Sequence, residues 1–131
     1  MLGMRFSLNL TPENPMDRWH TAFLPIRGPE PLAIAISCDD STCRLIGAKI
    51  FTCPEDAVDR EIMLDALGEL TNITAGQVRQ LLGLKQALGL PCIYGDENAF
   101  TFNKGQWLQW SLQSNSANLV LSISTDPSVL T

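Results

Sequence analysis

The segment DALGELTNITAG, residues 65–76, lies in the middle of the longest amphipathic pattern in the chain. At about 100° per residue, this pattern predicts an α-helix from about Asp56 to Leu82. The residues predicted to face the core are Met63, Leu67, Leu70, Thr74, Val78 and Leu81. On the opposite face a line of residues, which we call the polar stripe, consists of Asp65, Glu69, Asn72 and Gly76.

The polar stripe is a candidate site because its side chains suit the positioning of water. An Asn carboxamide both donates and accepts hydrogen bonds, and a Glu one turn away accepts from a cation or from the same water. Such a pair can orient water for attack on a phosphoryl group, a reaction that depends mostly on positioning and electrostatics. Gly76 would leave room for an approaching molecule, and Ala66 and Ile73 give the stripe an apolar border.

An ordinary solvated helix face is the alternative, since Asp, Glu and Asn are common there. Such a face usually pairs its acids with Lys or Arg four residues away, and neither Asp65 nor Glu69 has such a neighbour. The other candidates are weaker. His20 beside Trp19 has no Ser or Cys in an activating context around it and is expected to be a loop or packed histidine, and Asp39 and Asp40 are explained by helix capping.

The sequence around this helix predicts an α+β fold. Alternating apolar residues predict strands at Phe6–Leu10 and Leu32–Ser37, and a hairpin joins the strand through Trp110 to that through Leu121. The proline-rich residues 11–31 predict an irregular connection with a short strand at Thr21–Ile26, and a short helix is predicted at Thr42–Ile50. We therefore expect an antiparallel sheet with a long motif-bearing helix and a shorter helix packed on one face.

Length and charge narrow the function. The 131 residues fit a single domain, 1–131, and the hydrophobic content of 45% is that of a globular protein. A net charge of −5 without any basic stripe argues against binding to nucleic acid or an anionic membrane. The segment MLGMRFSLNL is not a signal peptide and no apolar run is long enough to span a bilayer, so a cytoplasmic protein is expected.

The four cysteines, Cys38, Cys43, Cys53 and Cys92, form no CxxC pair, and His20 is the only histidine that could join them. A zinc site usually needs closely spaced ligand pairs, so we expect no metal site. Four free or buried thiols in a reducing compartment are the expectation.

The polar stripe resembles the signature of the CheC/CheX/FliY phosphatases of bacterial chemotaxis. That signature has an acidic or Ser residue, three residues, Glu, two residues and Asn, matched here by Asp65, Glu69 and Asn72. Pro91 is similar to the signature's downstream proline, at a slightly shorter spacing from Asn72. The single copy of the motif resembles CheX rather than two-motif CheC. The resemblance runs from about Pro31 to Ser124, whereas the first 30 residues are atypical because they lack the family's opening helix.

The resemblance implies a function. A CheX-like protein docks on the phosphorylated receiver domain of a CheY-like response regulator and speeds hydrolysis of its aspartyl phosphate. Asn72 would orient the attacking water and Glu69 would pair with the receiver's lysine, with Asp65, Gly76, Ala66, Ile73 and Pro91 in supporting or docking roles. Magnesium would be bound by the receiver, so this chain would need no cofactor. A homodimer is also in keeping with the resemblance.

A second hypothesis keeps the fold and removes the catalysis. The chain would then be an interaction module, related to the flagellar switch proteins, that binds a receiver or switch-type partner without hydrolysis. The atypical first 30 residues are the feature that favours it.

Overall fold

The computed structural model describes residues 7–9, 19–95, 102, 105–114 and 117–130. Their six strands form one antiparallel sheet, in the order β1-β5-β6-β3-β2-β4. The strands are β1 (Ser7–Asn9), β2 (His20–Ile26), β3 (Leu32–Cys38), β4 (Cys92–Tyr94), β5 (Leu108–Gln113) and β6 (Asn118–Ser124). Two helices, α1 (Asp40–Ile50) and α2 (Arg60–Leu81), pack against one another and against the sheet, and 3₁₀ turns span Glu55–Ala57 and Pro127–Leu130. The predicted α+β class is confirmed.

The core lies between the helices and one face of the sheet. Strand alternation places Ala22 and Ile36 in register on that face, where they pack with Met63 and Leu67 of α2. A second cluster at the other end of the sheet contains Leu24, Ile34 and Ala75. Strand β3 is buried along its whole length, which its position between β2 and β6 explains. The strand predicted at Phe6–Leu10 is confirmed over Ser7–Asn9, and its two end residues lie outside the described residues. The strand predicted at residues 32–37 and the final hairpin are confirmed, while the short strand predicted at Thr21–Ile26 begins one residue earlier, at His20.

Helix α1 begins at Asp40, two residues before the predicted start at Thr42, and Asp39 is its cap. The carboxylate of Asp39 accepts a hydrogen bond from the backbone N–H of Thr42 at 2.8 Å, which satisfies one of the free donors of the first turn. In this helix Ile46 is fully buried, and Leu45 and Ile50 are half-buried.

A disulfide between Cys38 and Cys43 joins the end of β3 to the first turn of α1. Their Cα atoms are 6.1 Å apart, within the range that a disulfide spans. The expectation of four free thiols is therefore wrong for this pair, because a strand that runs directly into a helix brings residues five apart together. Cys53 and Cys92 are free.

Helix α2 is shorter at its start than predicted. Asp59, rather than an earlier residue, caps it by accepting from the N–H of Ile62 at 2.9 Å, and residues 55–57 form a separate 3₁₀ turn. At the other end the helix stops at Gly83, whose φ of 67° only glycine adopts without strain. The N–H of Leu84 then donates to the carbonyl of Arg79, as in a Schellman motif.

The predicted core face of α2 is correct at its centre and wrong at its end. Met63, Leu67 and Leu70 are buried, but Leu81 is 85% exposed because Leu84 and Leu88 of the following loop fill that end of the core. Among the described residues, no helix is long and apolar enough to cross a membrane.

Candidate active site

A groove of about 580 Å³ runs beside the exposed face of α2. The helix contributes one line of residues to it, the end of α1 contributes Ile50 and Phe51, and the segment leading into β4 contributes Pro91 and Ile93. The residues supplied by α2 are Leu64, Asp65, Gly68, Glu69 and Asn72. We call this the stripe groove, because three of the four residues of the polar stripe lie in it.

The functional groups of the stripe groove point into solvent without internal partners. Asp65, Glu69 and Asn72 are exposed, and no hydrogen bond or ion pair from any described residue reaches their side chains. Three residues apart on a helix, Glu69 and Asn72 have Cβ atoms about 5–6 Å from one another. Their carboxylate and carboxamide can therefore act on one bound molecule.

The charge of the stripe groove is negative throughout. Its lining includes two carboxylates and a carboxamide, and it includes no Lys, Arg or His among the residues that the structure describes. Among these residues, no group of three His, Cys, Asp or Glu is placed to hold a metal ion. The groove therefore suits a cation that another molecule brings, rather than one held by its own ligands.

Gly68 forms the floor of the stripe groove and was missed by the sequence analysis. A Cβ at this position would lie 3.5 Å from Ile93 Cδ1 and 3.6 Å from Pro91 Cγ, so these two side chains pack directly over the glycine. The packing places Pro91 beside the stripe. Helical spacing places Gly68 beside the stripe, three residues after Asp65 and four before Asn72, but its cover by Pro91 and Ile93 depends on β4, which follows the helix in sequence.

Three predicted supporting residues lie outside the stripe groove. Ala66 is fully buried among the core residues of α1 and α2, so its prediction as a docking residue is wrong. Gly76 is half-buried near Leu88, and the space expected above it is partly taken by that side chain. Ile73 is half-buried and does not line the groove.

Two apolar residues of the stripe groove, one aliphatic and one aromatic, come from the end of α1, and the sequence pattern predicts neither of them. Ile50 and Phe51 end the first helix, and Phe51 is 48% exposed. In the sequence Phe51 is only an aromatic residue that follows the predicted short helix. Its neighbourhood with Asn72 follows from the packing of α1 on α2.

The weaker candidates are occupied by structural roles. His20 is buried and its Nε2 is hydrogen-bonded to Asp40, which confirms a packed histidine. Burial raises the pKa of Asp39, but hydrogen bonds from Thr42, Ser41 and Asn118 outweigh it and hold that pKa below its ordinary value. Asp39 is therefore a helix cap that stays ionised at neutral pH.

Comparison with solved structures defines the class of this fold. CheX of Vibrio vulnificus superimposes with a TM-score of 0.74 at 17% identity, over 94% of this chain and 84% of that one. A CheC-like superfamily protein of Shewanella sp. PV-4 gives 0.72 at 21% identity, over 94% and 85%. The CheX–CheY–BeF3–Mg²⁺ complex of Borrelia burgdorferi gives 0.74 at 20% identity, over 92% and 82%. The fold is that of the CheC/CheX-like proteins.

The sequence itself gives the family. The model of the chemotaxis phosphatase CheX matches residues 20–106, which is most of the chain and includes every residue of the stripe groove. No curated protein matches the sequence. The chain belongs to the CheX family of chemotaxis phosphatases.

Proposed function

We propose that this chain speeds hydrolysis of the aspartyl phosphate on a CheY-like receiver domain, acting through Glu69 and Asn72. The observation that carries the proposal is the pairing of these two exposed, internally unpartnered side chains in one acidic groove. Membership of the CheX family and the fold shared with a CheX that was solved in complex with CheY support it.

In this proposal Asn72 positions the attacking water. Its carboxamide oxygen accepts a hydrogen bond from the water and its NH₂ donates to the phosphoryl oxygens, so the water is held in line with the bond that breaks. The water oxygen bonds to phosphorus, the bond between phosphorus and the receiver's carboxylate oxygen breaks, and inorganic phosphate and a free aspartate result. Fixing the geometry of a reactant in this way lowers the barrier without a protein nucleophile.

Glu69 is assigned to a cationic group of the receiver. Its carboxylate lies one turn from Asn72 and has no partner of its own among the described residues. An ion pair made only in the complex would fix the helix relative to the phosphorylated aspartate. Asp65 adds a second negative charge to the same groove, and Pro91 packs over Gly68 and shapes its floor.

Magnesium is assigned to the receiver. The complex from Borrelia burgdorferi contains Mg²⁺ together with CheY, and the stripe groove offers only two carboxylates of its own. By this proposal the chain is one domain that binds no cofactor and works in the cytoplasm, where its receiver is found. A homodimer is part of the same proposal and is tested by the mass of the protein in solution.

The proposal is tested by following a CheY-type receiver, phosphorylated with acetyl phosphate in the presence of Mg²⁺, as its phosphate is lost. Addition of this protein in catalytic amounts should raise the decay rate, and Glu69→Gln should reduce that effect about 10²-fold by removing the charge. Gln77→Ala is the control, since Gln77 is an exposed amide of α2 outside the stripe groove. Binding without faster decay, across the receivers of the same organism, would instead establish a non-catalytic interaction module.

A further inference from the structure

Phe51 is an aromatic side chain that its own fold does not bury. It is 48% exposed, and it lines the stripe groove beside Ile50 and Leu64. Among the described residues, the aromatic ring contacts join Phe23 and Phe102 to Trp107, and Phe51 takes no part in them. A half-exposed phenyl ring gains binding energy when a partner covers it.

The backbone around Phe51 is fixed. Its N–H donates to the carbonyl of Gly47 at 3.0 Å and so ends α1, and the N–H of Cys53 donates to the carbonyl of Ala48 at 3.1 Å. Between them Thr52 has a φ of 52°, which turns the chain sharply away from the helix. The ring is therefore presented from a rigid helix end, and little ordering is needed when it binds.

Phe51 and Asn72 line the same groove, so a molecule that fills the groove can contact both. The other large exposed hydrophobic residues of the described chain do not line it: Leu81, Leu82, Leu90 and Leu108. The stripe groove thus combines an apolar rim, formed by Phe51, Ile50 and Leu64, with acidic groups that lie further along α2. This combination is complementary to a surface that carries an apolar patch next to a cationic pocket.

We infer that Phe51 is the anchor through which this chain docks its receiver, and that it sets the affinity for the phosphorylated receiver rather than the rate of the chemical step. The inference rests on the proposed function, which supplies the occupant of the groove: a receiver whose metal ion and lysine form the cationic pocket. Rigid aromatic residues at the centre of a contact are frequent hot spots of binding energy. By this inference Phe51 contacts the partner and not the attacking water. Its loss therefore weakens the binding of the ground state and of the transition state equally.

The test is the initial rate of dephosphorylation, measured against the concentration of a CheY-type receiver phosphorylated with acetyl phosphate in Mg²⁺. Phe51→Ala should raise KM roughly tenfold and leave kcat unchanged. Phe51→Leu retains most of the apolar surface and should stay within roughly threefold of the wild-type KM. Leu81→Ala is the matched control, since it removes an exposed apolar side chain from α2 outside the stripe groove and should leave both constants unchanged.

The possible results distinguish a failure of the anchor role of Phe51 from a failure of the proposed function. If the wild-type chain accelerates dephosphorylation and Phe51→Ala leaves KM as it was, the anchor is refuted and the phosphatase stands. A fall in kcat at constant KM also refutes it, because Phe51 would then act on the chemistry. If the wild-type chain accelerates nothing, the proposed function fails and the anchor with it. Equal melting midpoints of the variants confirm that a change in KM is not a change in folding.

Discussion

The three glycines inside the helices lead to a graded prediction about stability. In a helix interior Gly costs about 1 kcal/mol relative to Ala, so Gly→Ala stabilises wherever the new methyl group fits. At Gly68 a Cβ would meet Ile93 Cδ1 at 3.5 Å and Pro91 Cγ at 3.6 Å, which are ordinary van der Waals distances. We therefore expect Gly68→Ala to raise the free energy of unfolding by about 1 kcal/mol.

A new Cβ would have more space at Gly76 than at Gly68, and less space at Gly47. At Gly76 the atom nearest to a new Cβ is Leu88 Cδ1 at 3.9 Å, so Gly76→Ala should gain the same ~1 kcal/mol. At Gly47 a Cβ would lie 3.0 Å from Val58 Cγ1, and Val58 is fully buried and has little room to move. Overpacking of this kind costs about 1–3 kcal/mol, so Gly47→Ala should not stabilise the protein.

Thermal unfolding followed by circular dichroism measures the series. For a chain of this length, 1 kcal/mol corresponds to a shift in Tm of about 4 °C. Gly68→Ala and Gly76→Ala should each melt higher by about that amount, and Gly47→Ala should melt at or below the wild type. A lower Tm for Gly68→Ala would contradict the packing of Pro91 and Ile93 over the floor of the stripe groove.

Two further predictions concern the junction of β3 and α1. Asp39→Ala should lower the free energy of unfolding by about 1 kcal/mol at pH 7, as the loss of an N-cap does. Because the pKa of Asp39 is lowered in the folded state, its charge stabilises the fold above the unfolded pKa and loses this effect as pH falls through the folded pKa. When the pH is lowered from 7 to below about 4, the free energy of unfolding in urea should therefore fall less for Asp39→Asn than for the wild type. An equal fall for both proteins would contradict the role of ionised Asp39 as the helix cap. The disulfide between Cys38 and Cys43 predicts two reactive thiols in the denatured, unreduced protein and four after reduction. Reduction should lower the free energy of unfolding by about 2 kcal/mol. Four reactive thiols before reduction would refute the disulfide.

The elements that the sequence predicts well are those whose pattern is local. Strand β3 and the final hairpin follow from strict alternation, and the start of α1 follows from its capping aspartate. The amphipathic pattern predicts the start of α2 at about Asp56, whereas the hydrogen bonds of the first turn show that Asp59 is the cap. The exposure of Leu81 depends on a loop that returns to the core after the helix, which helical periodicity does not describe.

The same division holds for the candidate site. Asp65, Glu69 and Asn72 share one helix face, so periodicity alone predicts that they lie together. Phe51 enters the groove through the packing of α1 on α2, and Gly68 becomes its floor because Pro91 and Ile93 pack over it. Contacts between elements are set by tertiary packing, and a single sequence carries no periodic signal of them.

The central claim is that Asn72 orients the attacking water, and replacing it tests that claim most directly. Asn72 is exposed and has no side-chain hydrogen bond within the part of the chain that the structure describes, so Asn72→Ala should leave the fold intact or slightly more stable, since Ala is the better helix former. The measurement is the rate of phosphate loss from a Mg²⁺-bound, phosphorylated CheY-type receiver saturated with wild type or variant. The account predicts a fall of about 10²–10³-fold in that rate with unchanged affinity for the receiver. A variant that dephosphorylates the receiver as fast as the wild type would contradict it.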